Sequence, residues 1–278
     1  MMRSLAVLVA VCGVLFSPAE TRAQSVCTRA DLQSAVDSYI AAQGKGTPSA
    51  MRLATTAKYS ENMQDAAIEK GILRTPLKID FHRSLLDASA CETFTEVIVT
   101  DVNHPYVMGV RLKLTAGRIA EIETLVTDKD DWLFNADNYL KYSKSEDWSP
   151  IPRESQDTRA TLIAAANAYE DIFFDNSVKV PWGTPCNRLE GGRAHTGKGT
   201  PEDSCNAGVP SGMPITKRRF VVDPEIGAVV ALSRFSVNEL PDSHLFRVEH
   251  GKIRFVHTMT VCGTLPNCGF QVPAQPRK

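Results

Sequence analysis

The chain contains one sequence pattern twice, and this duplication constrains its fold more than any single motif does. Thr28-Arg-Ala-Asp-Leu32, followed by Tyr39, recurs 130 residues later as Thr158-Arg-Ala-Thr-Leu162, followed by Tyr169. The later part of each copy also matches, at an offset of 134 residues, in two segments: Leu112-Lys-Leu-Thr-Ala-Gly-Arg-Ile119 and Phe246-Arg-Val-Glu-His-Gly-Lys-Ile253. Repeats that stack into solenoids have periods of roughly 20–50 residues, so this longer period predicts two copies of a whole domain.

Residues 1–23 have the pattern of a secretory signal peptide. Arg3 supplies a positive charge, residues 5–16 form an apolar segment, and Thr21-Arg-Ala23 offers small residues for cleavage before Gln24. The apolar segment is shorter than the roughly 20 residues that a membrane-spanning helix requires. We therefore expect a secreted or periplasmic protein that has no membrane attachment after signal cleavage.

The cysteines support export from the cytoplasm. Of the seven cysteines, Cys12 lies in the predicted signal peptide, which leaves an even number for disulfide bonds in the mature chain. Six cysteines allow 15 pairings. Proximity within each copy favours three of these pairs: Cys27 with Cys91, Cys186 with Cys205, and Cys262 with Cys268. Neither Cys-x-x-Cys nor His-Glu-x-x-His occurs, so we expect no metal and no cofactor.

The order of predicted elements favours the α+β class. Helices are predicted at the start of each copy, over residues 32–40, 49–56 and 65–70 in the first and 159–174 in the second. Predicted strands follow over residues 77–87, 92–101, 106–114, 118–127, 218–222, 228–235, 244–250 and 252–261. Helices followed by long antiparallel hairpins are typical of α+β domains.

A curved antiparallel sheet that covers its apolar face with its own N-terminal helices forms a cone with a pocket inside. We therefore expect two tandem cone-shaped domains, each a curved antiparallel sheet wrapped around its N-terminal helices. After the signal peptide, the first domain covers residues 24–142 and the second covers residues 157–278. Residues 143–156 are polar and proline-containing, as expected of a linker. Copies that descend from a homodimer usually keep the old contact, which predicts an internal pseudo-dimer.

Several short segments carry a resemblance that spans nearly the whole mature chain. They are Tyr59-Ser-Glu-Asn62, Asp87 with Cys91, Trp132-Leu-Phe-Asn135, Val180-Pro-Trp-Gly-Thr-Pro-Cys186, Arg188-Leu-Glu-Gly-Gly192, Cys205-Asn-Ala-Gly-Val-Pro-Ser-Gly212, Arg218-Arg219 and Val256-His-Thr258. Together they resemble a secreted family of unknown function from fungi and bacteria, a tandem of two nuclear-transport-factor-two-like (SnoaL-like, polyketide-cyclase-like) cones. The resemblance implies the architecture and little about the chemistry.

The duplication itself indicates the first candidate catalytic groups. It aligns the segment from Tyr59 to Asn62 with the segment that begins at Arg188, so Glu61 and Glu190 occupy equivalent positions. In the superfamily that the chain resembles, this segment enters the sheet at the pocket rim. A partly desolvated carboxylate there has a raised pKa and can transfer protons, assisted by Tyr59 or Arg188. The alternative is an ion pair or cap that ties helix to sheet. Asn62 is a candidate substrate-binding residue.

Two histidines and two aromatic residues complete the candidate site. Alternation along the last strand predicts that His257 and Phe255 face the pocket or the core, where His257 could act as an acid or base and Phe255 could bind substrate. A hydrogen-bonded core histidine is the alternative reading. His82 either lines the pocket or faces solvent, and Trp182 either stacks on an aromatic ligand or fills the core. His244 is predicted to act in a turn or cap.

These residues favour an enzyme that works without a cofactor. We expect a lyase, dehydratase or isomerase that uses Glu, His, Tyr and Arg side chains on a small apolar molecule. The resemblance implies that this molecule is an aromatic one derived from lignin. The alternatives are a non-catalytic binding protein for a small hydrophobic ligand and a structural role for the surface loop 192–214. The net charge of −1 favours no nucleic-acid partner, and a homo-oligomer remains open.

Overall fold

The computed structural model describes residues 27–195, 200–206 and 208–270, so the predicted signal peptide lies outside the described residues. The first copy contains one helix and six strands: α1 (Arg29–Lys45), β1 (Leu53–Glu61), β2 (Gln64–Ala66), β3 (Phe81–Asp87), β4 (Glu92–Val99), β5 (Tyr106–Thr115) and β6 (Arg118–Thr127). A second helix, α2 (Ala136–Ser145), follows. The second copy contains α3 (Arg159–Asp171), β7 (Trp182–Glu190), β8 (Ala194–His195), β9 (Ile215–Asp223), β10 (Ala228–Phe235), β11 (Leu240–Glu249) and β12 (Lys252–Thr260).

The two copies have the same topology, which supports the predicted duplication. The strand order is β2-β1-β6-β5-β4-β3 in one sheet and β8-β7-β12-β11-β10-β9 in the other. The α+β class is therefore confirmed. The prediction of purely antiparallel sheets is wrong, because β1 runs parallel to β6 and β7 runs parallel to β12. Each sheet is mixed.

The repeated Thr-Arg-Ala motif begins the long helix of each copy. The Thr28 side chain accepts a hydrogen bond from the Asp31 backbone N–H in a capping box, and the Thr158 side chain accepts one from Thr161. Such caps satisfy backbone donors that have no partner inside the helix. The repeat therefore encodes the start of the helix that packs on each sheet.

Three local predictions differ from the structure. Residues 53–61 form β1 where the prediction placed a helix over 49–56, and the β-branched pair Thr55 and Thr56 suits a strand. Residues 64–66 form β2 in place of the predicted helix over 65–70. Helix α2 occupies residues 136–145 and enters the predicted linker, capped by the Asn135 side chain on the Asn138 backbone N–H.

The two sheets pack face to face, with α1 and α3 covering the outer faces. A buried apolar cluster between the sheets draws residues from both copies: Leu85, Phe94, Ile98, Val107, Leu125, Leu189, Val221, Val230, Leu245 and Met259. Separate clusters lie under α1 and under α3. The copies thus form the expected internal pseudo-dimer.

Equivalent residues of the two copies form matching ion pairs and hydrogen bonds across the interface between them. Arg29 at the start of α1 pairs with Asp223 at 2.7 Å, and Arg159 at the start of α3 pairs with Asp87 at 2.5 Å. Asp223 also accepts a backbone hydrogen bond from Leu86, as Asp87 does from Val222. Reciprocal contacts of this kind define an isologous, two-fold interface.

The predicted disulfide pairing is confirmed in all three cases. The bonds join Cys27 to Cys91, Cys186 to Cys205, and Cys262 to Cys268. Three disulfides are typical of an oxidising, extracellular environment. In the part of the chain that the structure describes, no helix has the length and apolarity to cross a membrane.

Candidate functional site

The interior of the second copy contains a cavity of about 460 Å³. Its aromatic lining residues are Trp132, Tyr169, Phe173, Phe235 and Phe270. Its polar lining residues are Arg188, Glu190, His244, Thr258 and Thr260. A mainly apolar cavity of this size with a few converging polar groups is typical of a small-molecule site.

The aromatic walls hold one another in place. Tyr169 lies edge-on to Phe173 at 5.4 Å between ring centroids, Phe173 to Phe235 at 5.6 Å, and Phe235 to Phe270 at 5.6 Å. Trp132 contacts Phe270 at 4.9 Å. Edge-to-face contacts of this kind stabilise ring orientation beyond simple burial, so the walls are rigid before any ligand arrives.

Arg188 and Glu190 form an ion pair at one side of the cavity, as both project from β7 on the same face. The Arg188 guanidinium lies 5.9 Å from the centroid of the Tyr169 ring. Burial lowers the pKa of Arg188, but Tyr169 and Glu190 outweigh burial and raise it above its usual value. The predicted grouping of Arg188 with Glu190 at a pocket is therefore found in the second copy.

His244 lies on the opposite side of the cavity and is held by Asp242. The His244 Nδ1 atom lies 2.9 Å from Asp242 Oδ2, in an ion-pair arrangement with no linear hydrogen bond. Asp242 also accepts hydrogen bonds from Thr260 at 2.6 Å and Ser233 at 3.3 Å. Burial lowers the pKa of His244, but the carboxylates, Asp242 foremost, raise it above its usual value. This shift favours the protonated form of His244, which can act as an acid.

Glu170 lies beneath this histidine and is fully buried in α3. Its Oε1 atom is 3.7 Å from His244 Nδ1, and its Oε2 atom is 2.7 Å from Arg218 Nε. Burial raises the pKa of Glu170 to about 7, although His244 and Arg218 oppose the shift. The second copy therefore holds a buried, titratable cluster directly behind its cavity.

Segments from outside the second sheet complete the cavity wall. The Asn135 backbone N–H donates to the Gly191 carbonyl at 2.6 Å, which brings Trp132 and Leu133 to the cavity. Gly192 has a φ of 97°, and a Cβ atom there would lie 2.1 Å from the Asn135 carbonyl oxygen. Only glycine permits this close approach of the two backbones.

The equivalent groups of the first copy tie a loop to a strand. The Tyr59 hydroxyl donates to Glu61, and Glu61 Oε2 accepts from the Ile72 backbone N–H at 2.7 Å. The Tyr59 ring covers Gly71, where a Cβ atom would lie 2.4 Å from the hydroxyl oxygen. Tyr59 and Glu61 therefore do not join Arg188 and Glu190, and the alternative reading as a structural tie describes them.

Of the two predicted positions of His257, the pocket or the core, the structure has the core. Arg254 has no pairing partner on β11, because Arg247 pairs with Phe255 and Val248 pairs with Ile253. Such a bulge shifts the side-chain alternation by one residue. After it, Thr258 faces the cavity, while His257 faces the first copy between the two sheets.

His257 instead belongs to a buried polar network between the copies. Its Nδ1 lies 2.9 Å from Glu96 and its Nε2 lies 2.7 Å from Glu146. Glu96 also accepts from Tyr139 at 2.8 Å and from Arg83 at 3.3 Å. Burial lowers the pKa of His257, but Glu146 and Glu96 outweigh burial and raise it to about 9. The hydrogen-bonded core alternative therefore describes this histidine.

Four further candidates lie outside the cavity lining. His82 is exposed on β3, and the Asn62 side chain accepts a hydrogen bond from the Val126 backbone at 2.8 Å. Trp182 packs edge-on to Tyr169 at 5.7 Å within the core. Phe255 packs on Trp148 at 5.6 Å because the bulge turns it away from the cavity. Their predicted catalytic and substrate-binding roles are not supported by these positions.

Sequence reasoning missed His244, Asp242, Glu170 and Thr258 as site residues. The predicted strand began at residue 244, whereas β11 begins at Leu240, so His244 was placed at the strand entrance and given a turn or cap role. The available signal was the two-residue spacing of Asp242 and His244 ahead of the apolar Phe246. Within the described ranges, no group of three His, Cys, Asp or Glu residues is arranged to hold a metal ion.

The structure is that of an α+β protein with two topologically equivalent copies and a cavity inside the second. Residues 155–260 match the family model described as "Domain of unknown function (DUF8021)". This stretch includes Arg188, Glu190 and His244, and it does not include Trp132 or Phe270. No curated protein matches the chain.

Proposed function

We propose that the second copy is a secreted or periplasmic enzyme that works without a cofactor, as a lyase, dehydratase or isomerase on a small apolar, aromatic substrate. The observation that carries this proposal is the cavity of about 460 Å³ with two charged pairs in its lining or directly behind it. Arg188 with Glu190 and His244 with Asp242 supply a base and an acid inside aromatic walls. Titratable pairs in such surroundings suit proton-transfer chemistry.

We also propose that each copy is a cone of the nuclear-transport-factor-two-like kind. Support comes from the repeated order of helix, parallel first strand and antiparallel hairpins, and from the long helix that covers one face of each sheet. The cavity lies on the helix-covered side of the second sheet, where a cone has its interior.

For a dehydration, each charged pair has a distinct role. Glu190 removes a proton from a substrate carbon, and the electrons of that C–H bond form a carbon–carbon double bond. The hydroxyl on the neighbouring carbon takes a proton from His244 and leaves as water. Arg188 and Asp242 hold these two groups in position, and exchange with solvent returns the proton from Glu190 to His244. An isomerisation uses the same pair, with His244 protonating a different carbon.

The test is turnover of a panel of small hydroxylated aromatic compounds by the purified full chain, followed as substrate loss by liquid chromatography. We expect Glu190→Gln and His244→Asn each to lower kcat by about 100-fold or more, the usual contribution of a general acid or base. His82→Asn, at an exposed site, is the matched control. Unchanged turnover in both site variants, with an intact fold, would remove this mechanism.

One observation favours a binding protein as the second candidate function. Both cationic groups of the cavity already have carboxylate partners, so the cavity could hold an apolar ligand without proton transfer. Calorimetric binding of panel compounds without any substrate loss would favour this function over the enzyme.

A further inference from the structure

Three polar residues of the cavity form a straight row across the second sheet. His244 on β11 pairs directly with Thr258 on β12, and Thr258 pairs directly with Glu190 on β7. All three line the cavity. Because directly paired residues share a face of the sheet, the row presents a carboxylate, a hydroxyl and an imidazole in fixed order.

The centre of this row is a hydroxyl with unused hydrogen-bonding capacity. Thr258 is 6% exposed, and its Oγ1 atom makes no hydrogen bond of good geometry within the described part of the chain, although the Tyr169 hydroxyl is nearby. A hydroxyl can donate one hydrogen bond and accept two, so beside the cavity the Thr258 hydroxyl can hydrogen-bond to a ligand as well as to Tyr169.

The spacing of the row limits which ligand can use both ends. Two strand spacings place the backbones of Glu190 and His244 about 10 Å apart, and side chains that stand perpendicular to the sheet keep roughly this separation. A hydrogen bond of about 2.8 Å at each end leaves about 4–6 Å between the two polar atoms of the ligand. Opposite (1,4) and alternate (1,3) positions of a six-membered aromatic ring have this separation, whereas neighbouring positions do not.

We infer that the row selects flat, ring-sized substrates with polar substituents at non-neighbouring positions, one on Glu190 and one on His244, above the Thr258 hydroxyl. This inference rests on the proposed function and names the substrate class of that site. Thr258 is a specificity-determining residue that contacts the substrate between its two ends. The first copy lacks the acid of the row, since its equivalent residues are Glu61, Thr124 and Val110.

The experiment compares three neutral probes by isothermal titration calorimetry on the full chain under argon: hydroquinone, catechol and phenol. Catechol carries the same two hydroxyls as hydroquinone at neighbouring positions, so it controls for hydroxyl number. We expect hydroquinone to bind about tenfold more tightly than either, the contribution of one charge-assisted hydrogen bond. Thr258→Val, of nearly equal shape, should weaken hydroquinone several-fold, and His244→Ala should remove the preference.

Equal affinities for hydroquinone and catechol in the unaltered protein would overturn the inference, as would a preference that survives in folded His244→Ala. The comparison of probes in the unaltered protein remains decisive even if a variant fails to fold. Turnover of the wider panel that depends on Glu190 would stand in either case, so failure of the inference is distinguishable from failure of the proposed function. Absence of binding by all three probes also overturns the inference.

Discussion

The two copies differ most in the interiors of their sheets, where the register of the strands defines equivalent positions. Four positions carry neutral side chains in the first copy and acidic or basic ones in the second: Ile40 and Glu170 on the helices, and Tyr59 and Arg188, Met108 and Asp242, and Val110 and His244 on the strands. Burying charges costs free energy of folding unless partners and hydrogen bonds compensate. The comparison indicates that the first copy has an apolar, filled interior, whereas the second has acidic and basic groups around a cavity, which is where the proposed function belongs.

The copies remain alike where they touch each other. Arg29 and Arg159 are equivalent, as are Asp87 and Asp223, and each arginine pairs with the aspartate of the other copy. A symmetric contact needs the same residues on both sides, whereas two interiors can change independently. The interface has therefore kept the symmetry that the interiors have lost.

The largest expected effect comes from placing the site's histidine in the first copy. Val110→His introduces an imidazole where Met108 and Ile40 replace the carboxylates that surround His244. A buried polar group without partners should lower the free energy of unfolding by about 3 kcal/mol. Urea denaturation measures this loss.

Val110→Ala is the control, because it removes volume without adding a polar group. It should cost about 1–2 kcal/mol, less than the histidine variant. If Val110→His proves as stable as the unaltered chain, the first copy does not have the apolar, filled interior that the comparison describes.

An effect of similar size is expected at the interface, where His257 and Glu123 are equivalent but only one is a histidine. The pKa of His257 is raised from its ordinary value of 6.5 to about 9 by Glu146 and Glu96. The protonated ring therefore contributes fully below pH 6.5, and its contribution is lost as the pH rises through 9. The free energy of unfolding should fall by about 3 kcal/mol over this window.

His257→Gln should flatten this decline in denaturant titrations repeated at several pH values. Tyr139→Phe is its control, because it removes one hydrogen bond from Glu96 and leaves the imidazole between both carboxylates. An identical slope in the parent and in His257→Gln would show that the histidine does not carry the pH dependence.

The smallest expected effects test the symmetry that remains. Arg29→Ala and Arg159→Ala should each cost about 1 kcal/mol, since each removes a charge-assisted pair with an aspartate of the other copy from a side chain that is about one-third exposed. Arg29 also pairs with Glu225 at 3.0 Å, but this pair is solvent-exposed on both sides and adds little. Chemical denaturation should place the two variants within about 0.5 kcal/mol of each other. A clear difference between them would mean that the interface is less symmetric than its geometry indicates.

The sequence predicted the parts of the fold that depend on repeated or local patterns. The duplication, the hairpins from Glu92 to Thr127 and the three disulfides follow from spacing alone. Strand β1 was missed because half-exposed residues at a sheet edge carry a weak periodic signal.

The candidate site could be predicted only in part. Arg188 and Glu190 were found because the repeat aligned them with Tyr59 and Glu61. The position of His257, in the pocket or in the core, was left open because a one-residue bulge at Arg254 is invisible to a simple alternation. The role of His244 was missed because the predicted strand began too late to include Asp242, and because Glu170 lies on α3, which only the folded chain brings beside β11.

The wall of the cavity has a consequence for how such proteins can diversify. Three lining residues of the cavity lie outside the matched stretch 155–260, because Trp132 and Leu133 precede α2 and Phe270 follows β12. The polar lining residues Arg188, Glu190 and His244 lie inside this stretch. A protein that shares only this stretch can keep the polar lining residues, but other segments must supply the rest of the cavity wall. The molecules that fit the cavity can therefore differ between such proteins while the polar lining residues stay the same.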